Sequence, residues 1–409
     1  MLGTGMAQLL PLLASPVLSR LYDAHAFGVF GLFFSICAVT SVLASGRYEL
    51  AVLLPKEEGD AYALTRLALA LTVGVGLGLG VMGWVGADYW SRLFDNESIR
   101  PWLPWIAVGV VATSGYQVLN LWFNRHEKYR FMAGTRTLRS VVQVAVSVGF
   151  GLSHGVAGGL ILGWLAGQVA GLVAFLYRFL RTTGVLSKAY ATTDAKRMAR
   201  RYIDFPLYSV TASTLNALTA QLPIWMLEYY FTTTVTGHVF FAQRTIAAPM
   251  GMISSAMGEV FKQRASVAVL EEGSCLRIWK GTFKALTLIA LPIAAVVFLF
   301  GPDLFAWGFG EEWREAGEYA RIMSPYLALG FVASPLSLVL YVAEKQSYDL
   351  LWQIALIIST FSALWFGSQR GNPRLALILH VTTYCILYVV YIAMSYRFAR
   401  STPPNSSTV

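Results

Sequence analysis

Apolar residues along the chain fall into long continuous runs rather than the alternating or half-face patterns of soluble strands and helices. Runs of about 20 residues recur at 3–19, 27–46, 61–87, 102–123, 132–152, 157–179, 205–228, 237–258, 281–300, 321–342, 350–366 and 375–396. Each is long enough for a helix to cross the hydrocarbon core of a bilayer, so the pattern predicts an all-α, polytopic membrane protein of about twelve transmembrane helices. Short polar connections separate the runs. The longest and most basic, from Arg178 to Tyr202, divides the chain near its middle. This predicts a six-helix bundle over 1–180, a basic cytoplasmic linker over 181–203, a second six-helix bundle over 204–396 and a cytoplasmic tail over 397–409. The first run lacks the basic leader and cleavage site of a secretory signal and is read as a span.

Composition agrees with this reading. Of the 409 residues, 56% are hydrophobic and 13% charged, roughly half the charged share of a soluble domain. Twelve spans leave no room for a large soluble catalytic domain. The net charge of +9 would suggest nucleic acid in a soluble chain, but here the placement of the basic residues decides. With both termini taken as cytoplasmic, that side carries 23 Lys and Arg, the opposite side carries 7, and Arg244 stays inside a span. An excess of that size satisfies the positive-inside rule, so nucleic acid is not expected as a partner.

The two halves share a weak repeat. Ala7-Gln8-Leu9-Leu10-Pro11 in the first span resembles Ala220-Gln221-Leu222-Pro223 in the seventh, and Tyr22 and Gly28 correspond to Phe231 and Gly237 at an offset of 209. Such a repeat is expected of a duplicated six-helix unit in parallel orientation. Pro11, Pro16 and Pro223 occupy comparable places in the halves, with Pro249, Pro292, Pro325 and Pro335 following. Each removes a backbone donor, and broken helices or static kinks are the two expectations.

Catalytic and cofactor signatures are absent. The sequence has no phosphate-cradling GxxxxGK[ST], no metal-spaced His/Cys cluster, and only three scattered cysteines, Cys37, Cys275 and Cys385. The Gly74, Gly76, Gly78, Gly80 series lies in an apolar span and reads as a close helix-packing surface. Function must therefore be sought in the few polar groups at membrane depth, each of which needs a partner or water. Arg244 has no acidic residue within one helical turn. It fits a phosphate or acidic sugar in a hydrated cavity, or an ion pair between helices. Gln117, Asn120 and Asn124 are three and four residues apart, which places three amides on one helical face, either to bind sugar hydroxyls or to tie helices together. Arg20 closes the first span, where it snorkels to headgroups or joins the substrate-binding set. Arg47 and Glu49 at the inner end of the second span, and Glu259 and Lys262 at the inner end of the eighth, are candidates for an inner gate or ordinary boundary charge.

Three segments carry a resemblance to a known family. They are Arg47-Tyr48-Glu49-Leu50-Ala51-Val52-Leu53-Leu54-Pro55-Lys56, Gly115-Tyr116-Gln117-Val118-Leu119-Asn120-Leu121-Trp122-Phe123-Asn124-Arg125 and Phe309-Gly310-Glu311-Glu312-Trp313-Arg314-Glu315-Ala316-Gly317. In order and over nearly the whole chain, the sequence resembles the bacterial polysaccharide biosynthesis proteins that act as oligosaccharide flippases, within the multidrug/oligosaccharidyl-lipid/polysaccharide exporter superfamily. The resemblance implies two six-helix bundles around a central cavity. It also implies transfer of undecaprenyl-diphosphate-linked oligosaccharide across the bacterial cytoplasmic membrane by alternating access, for O-antigen, capsule or exopolysaccharide. Family members ordinarily have further residues before the first span, which leaves open a missing N-terminal stretch. The implied partners are the lipid-linked oligosaccharide, membrane lipid, polysaccharide polymerase and glycosyltransferases. No cofactor is expected, and proton or sodium coupling stays open. The alternatives are a lipid II flippase and a multidrug antiporter. The antiporter ordinarily needs a membrane-embedded carboxylate, and none is evident mid-span in the first half. A polymerase or ligase should have a long outer loop with catalytic residues, whereas the longest here, about Gly301 to Glu318, has no His.

Overall fold

The computed structural model describes residues 10–154, 158–183, 195–343 and 345–400, and no strand occurs among them. The helices follow the apolar runs. In chain order they are α1 (Ser15–Leu21), α2 (Ala24–Ala44), α3 (Glu58–Val85), α4 (Ile106–Arg125), α5 (Tyr129–His154), α6 (Gly158–Thr183), α7 (Val210–Tyr230), α8 (Thr233–Glu272), α9 (Leu276–Phe309), α10 (Arg314–Leu336), α11 (Gln346–Ser368) and α12 (Pro373–Arg400). This is consistent with the twelve-helix expectation. Residues 3–9 of the first run, including Ala7, Gln8 and Leu9 of the repeat, lie outside the described residues, as do 184–194 of the linker and 401–409 of the tail.

Eight helical segments among the described residues are long and apolar enough to cross a membrane unaided. Helices α5, α7 and α8 are not among them. Their sequences explain why: α5 carries Arg130, Arg136 and Arg139, α7 carries Thr214, Asn216 and Gln221, and α8 carries Gln243, Arg244 and Thr245. In hydrocarbon such helices are tolerated only where their polar faces meet protein or water.

Most prolines do not break their helices. Pro223, Pro249, Pro292 and Pro325 all lie inside continuous helical segments. Breaks occur at Ala14, between Pro11 and Pro16, and just after Pro335, where α10 ends and a short turn of helix, Val339–Val342, follows. The missing backbone donor is thus absorbed within most helices rather than ending them.

Two compact units divide the chain, one covering Met1–Gly237 and the other His238–Val409. In the first, α5 packs along α6, α3 along α4, α4 along α6 and α7 along α2. Gly159, Gly163, Gly167 and Gly171, one face of α6, receive α5: Gly163 sits beside the Gln143 carbonyl at 2.8 Å from where a Cβ would be, and Gly167 beside the Arg139 carbonyl at 2.7 Å. On α3 the packing glycines are Gly76, against Val111, Gly80, 2.9 Å from the Ala107 Cβ, and Gly83, 2.5 Å from the Leu103 carbonyl. Gly74 and Gly78 have open space around them. The period-two series therefore packs on one side only, since alternate glycines fall on different faces of a helix.

The closest backbone approach joins the two connections that the repeat relates. A Cβ at Gly28 would overlap the Thr233 carbonyl, and one at Gly237 would overlap the Ala24 carbonyl. Nearby, the Tyr22 hydroxyl donates to the Ser147 carbonyl at 2.6 Å, and the Trp225 indole donates to Ser35 Oγ at 2.7 Å. The short basic helix Ala195–Arg201 also belongs to the first unit. Met198, 1% exposed, enters a core of Tyr48, Val52, Ala61, Leu64, Trp122 and Phe179. The Tyr48 hydroxyl donates to the Ala199 carbonyl at 3.0 Å, and Arg197 pairs with Asp60 at 3.4 Å. Burial raises the Tyr48 phenol above its ordinary pKa, keeping it a donor.

In the second unit α9 packs along α10, α11 along α12, and α10 along α12. Gly301 and Gly317 form a reciprocal close contact, each Cβ position 2.5–2.8 Å from the other's carbonyl oxygen. The Cys275 amide and the Ser274 hydroxyl both donate to the Ala399 carbonyl, at 3.2 and 3.0 Å, fastening the α8–α9 connection to the end of α12.

Two stability outcomes follow from this packing. Gly28→Ala and Gly237→Ala press a methyl group into backbone that has no rotamer to move, and each should destabilise by about 1–3 kcal/mol. Gly74→Ala and Gly78→Ala, in open helix, should instead gain about 0.5–1 kcal/mol. Thermal unfolding in detergent distinguishes the pairs. Met198→Ala should cost about 2–5 kcal/mol and hasten tryptic cleavage at Arg197, Arg200 and Arg201. Unchanged cleavage would show that the linker helix is not held by this contact.

Candidate functional site

Each compact unit contributes its own polar groups. In the first, Gln117, Asn120 and Asn124 do share a strip of α4. Gln117 is exposed, Asn120 and Asn124 are half-buried, and the enclosed Asn120 Oδ1 has no hydrogen-bond partner. Arg20 is exposed in the last turn of α1. In the second unit, Arg244 is half-buried in α8, its guanidinium 6.0 Å from the Phe240 ring centroid.

The residues proposed for a gate are organised locally. Gly46 and Arg47 both adopt left-handed backbone conformations, at φ 59° and 58°, a costly geometry for arginine. The resulting turn brings Arg47 Nη1 to Glu49 Oε1 at 3.2 Å, while the Ser45 hydroxyl donates to Glu49 Oε2 at 2.5 Å. Glu49 is 2% exposed, so within this unit the pair is a buried clamp between neighbours in sequence. Glu259 and Lys262 are both exposed on α8.

The first two motif segments meet in space. Arg125, at the end of α4, donates through Nη1 to the Val52 carbonyl at 3.2 Å and through Nε to Glu58 at 3.2 Å. His126 Nε2 lies 3.1 Å from the other Glu58 oxygen. The third segment surrounds Trp313, fully buried, with Phe241 at 4.1 Å and His238 at 5.7 Å between ring centroids. Arg314 bridges Asp303 at 2.6 Å and Glu311 at 2.5 Å. Its hydrogen bond holds the Glu311 carboxyl below the ordinary carboxylate range, so part of this segment's negative charge is already matched.

Besides Asp60, which pairs with Arg197, sequence reasoning passed over two further buried carboxylates. Glu228, in the last turn of α7, is 2% exposed. Its Oε1 accepts from Asn96 Nδ2 and from the Thr233 hydroxyl, both at 2.7 Å, and its Oε2 is enclosed without a partner. Asn96 is held in place because its own carbonyl accepts from the Ile99 amide at 3.2 Å, capping the 3-10 segment Glu97–Trp105. This group sits beside the Gly28 and Gly237 approach. In the second unit Asp349, 8% exposed, accepts from Gln353 at 2.8 Å and from the Tyr391 hydroxyl. Both carboxylates lie near helix ends, where a sequence reading assigns acids to loops; only the fold shows them enclosed. No group of three His, Cys, Asp or Glu suited to a metal ion occurs among the described residues.

These buried polar groups, spread through helices, provide charge and hydrogen bonding inside a membrane protein. The structure is similar to an inward-facing multidrug resistance MATE family transporter of the MOP superfamily, with a TM-score of 0.73 at 15% identity, covering 96% of this chain and 94% of that one. It is also similar to the lipid II flippase MurJ in an inward closed conformation, with a TM-score of 0.75 at 11% identity over 97% of this chain and 87% of that one. An outward-facing MATE family transporter gives 0.65 at 15% identity over 98% and 94%. At these identities the likeness establishes the fold. No curated protein sequence matches the chain. The family model for polysaccharide biosynthesis proteins matches residues 17–318, most of the chain, and the chain therefore belongs to the polysaccharide biosynthesis protein family.

Proposed function

We propose that this protein is a flippase that moves undecaprenyl-diphosphate-linked oligosaccharide across the bacterial cytoplasmic membrane, with the glycan destined for O-antigen, capsule or exopolysaccharide. What supports the reading is Arg244, a guanidinium that the apolar run 237–258 would hold at membrane depth, in a member of this family. Arg244 lies eleven residues into α8, or roughly 17 Å at 1.5 Å per residue, about half the thickness of the hydrocarbon core. Moving a diphosphate through hydrocarbon unaided would cost far more than thermal energy supplies. A bidentate guanidinium replaces part of its hydration and lowers the barrier without covalent chemistry. The glycan would be held by amides such as Gln117, Asn120 and Asn124, and Arg20 would meet the headgroup at the membrane boundary.

In this reading the chain works as two six-helix halves, 1–180 and 204–396, joined by the basic linker over 181–203, with both termini cytoplasmic. The lipid tail stays in the bilayer while the halves alternate access, and the Arg47/Glu49 and Glu259/Lys262 pairs close the inner side. Polymerase and glycosyltransferases act on either side of the transfer step. The product would be the same lipid-linked glycan in the opposite leaflet.

Glu228 supports a gradient-coupled version of this cycle. The sequence leaves proton or sodium coupling open with no acid evident mid-span in the first half, and Glu228, at the end of α7, is an enclosed carboxylate with an unpartnered oxygen.

Reconstitution into vesicles with a labelled lipid-diphosphate oligosaccharide tests the proposal. The protein should expose label in the opposite leaflet faster than protein-free vesicles, and equal rates would count against it. Arg244→Ala should slow transfer by at least about tenfold, equivalent to 1.4 kcal/mol. Arg244→Lys should also impair it, because the bidentate contact is lost. Normal transfer in both variants removes Arg244 from the mechanism. An imposed proton or sodium gradient should accelerate the wild type and not Glu228→Gln; the same acceleration in both would separate coupling from Glu228.

A further inference from the structure

Three buried polar atoms on α4 have no hydrogen-bond partner: Thr113 Oγ1, the Tyr116 hydroxyl and Asn120 Oδ1. Spaced three and four residues apart, they lie along one helical face. An unpaired buried polar atom costs about 1–3 kcal/mol, so three in a row mark a strip that awaits partners. Tyr116 itself is 6% exposed.

A cation is held against this strip. The Arg139 guanidinium lies over the Tyr116 ring, 4.1 Å from its centroid. By charge counting Arg139 belongs to the inner loop, but α5 begins at Tyr129. Arg139 is therefore ten residues, or about 15 Å, along the helix. Its place is built by α6: a Cβ at Gly171 would come within 2.5 Å of both Arg139 Cγ and Cδ and 3.1 Å of Tyr116 Cδ2. Among the described residues no carboxylate forms an ion pair with Arg139. A cation–π contact is worth about 0.5–2 kcal/mol and supplies no counter-charge to the half-buried guanidinium. The α6 face toward α4 adds Gln168, 5% exposed and with Oε1 unpartnered, between Leu165 beside Gly109 and Leu172 beside Gly115. The strip is reachable, since Gln117 is exposed and Asn120 and Arg139 are half-buried.

We infer that α4, α5 and α6 form a subsite for a saccharide oxyanion, with Arg139 taking the negative charge, the Tyr116 hydroxyl donating to it, and Asn120 Oδ1 accepting from a sugar hydroxyl. The two needs define the ligand class. A bare anion leaves the Asn120 oxygen without a donor, and a neutral sugar leaves Arg139 without a counter-charge. A sugar carboxylate and a sugar phosphate both satisfy the set. The ligand class rests on the flippase reading and deepens it. The subsite lies wholly within the first compact unit.

Calorimetric titration of the full chain in detergent tests the subsite with glucuronate, glucose 1-phosphate and glucose as probes. At least one anionic sugar should bind saturably, and at least about tenfold more tightly than glucose; which one binds identifies the source of the oxyanion as carboxylate or phosphate. Arg139→Gln should weaken that anion by about tenfold or more without altering glucose. Tyr116→Phe keeps the ring under the guanidinium and removes only the hydroxyl, so a purely structural stack predicts no change, whereas the subsite predicts a loss of about threefold or more. Arg139→Lys should retain part of the affinity and carries the test together with Tyr116→Phe if Arg139→Gln does not fold. Absence of saturable anion binding by the wild type, wild-type affinity in the folded variants, or glucose binding as tightly as the anions would each overturn the subsite. Anion binding without lipid transfer in vesicles would instead count against the flippase reading and leave the subsite standing.

Discussion

An apolar helix surface gains nothing by moving from lipid to protein, so helices inside a bilayer are held by close backbone approach and hydrogen bonds. Glycine provides that approach here. Gly28 and Gly237 bring two connections together so closely that neither tolerates a Cβ, and the Gly159, Gly163, Gly167, Gly171 face lays α6 along α5. Once the backbones are that near, short polar bonds become available: Tyr22 to Ser147, Trp225 to Ser35, and Asn96 and Thr233 to Glu228. The polar groups of the first unit are therefore a consequence of its glycine packing. Remove the approach and Glu228 loses the partners that make its burial tolerable.

The same principle explains why charged and amide side chains are found in the helices that are least suited to lipid. Helices α5, α7 and α8 are too polar to cross a membrane on hydropathy alone, and they bear Arg139, Asn216 and Arg244. Glycine slots on α6 give Arg139 its place, while Arg244 rests beside Phe240. A cation held in place by aromatic and glycine surfaces is preorganised for an anion. It does not have to be assembled when the ligand arrives.

Much of the fold was legible in the sequence because long apolar runs and short polar connections are a strong signal. Gly28 and Gly237, matched by an offset of 209 in the sequence, turn out to touch. The site was less so. Prolines predict broken helices, but Pro223, Pro249, Pro292 and Pro325 are carried within continuous ones. Arg47 and Glu49 were legible as paired charges, and the left-handed turn at Gly46–Arg47 is what brings them together. Glu228 could not be recognised, since its enclosure depends on Asn96 and Thr233, distant or across a turn in sequence. Charge counting places Arg139 with the basic connection before α5, although it lies seven residues into the apolar run 132–152. Pairwise burial of this kind is a property of packing, not of local pattern.

The central claim is that a member of the polysaccharide biosynthesis protein family, built on this scaffold, carries a glycan on a lipid diphosphate. The most direct test is native mass spectrometry of the protein purified from a cell that makes its polysaccharide, using mild detergent. The account predicts a bound species whose mass decomposes into a polyprenyl chain, a diphosphate and at least one sugar, and which is depleted in the Arg244→Ala protein. Only phospholipid on the wild type, or the same glycolipid occupancy in both proteins, would contradict it.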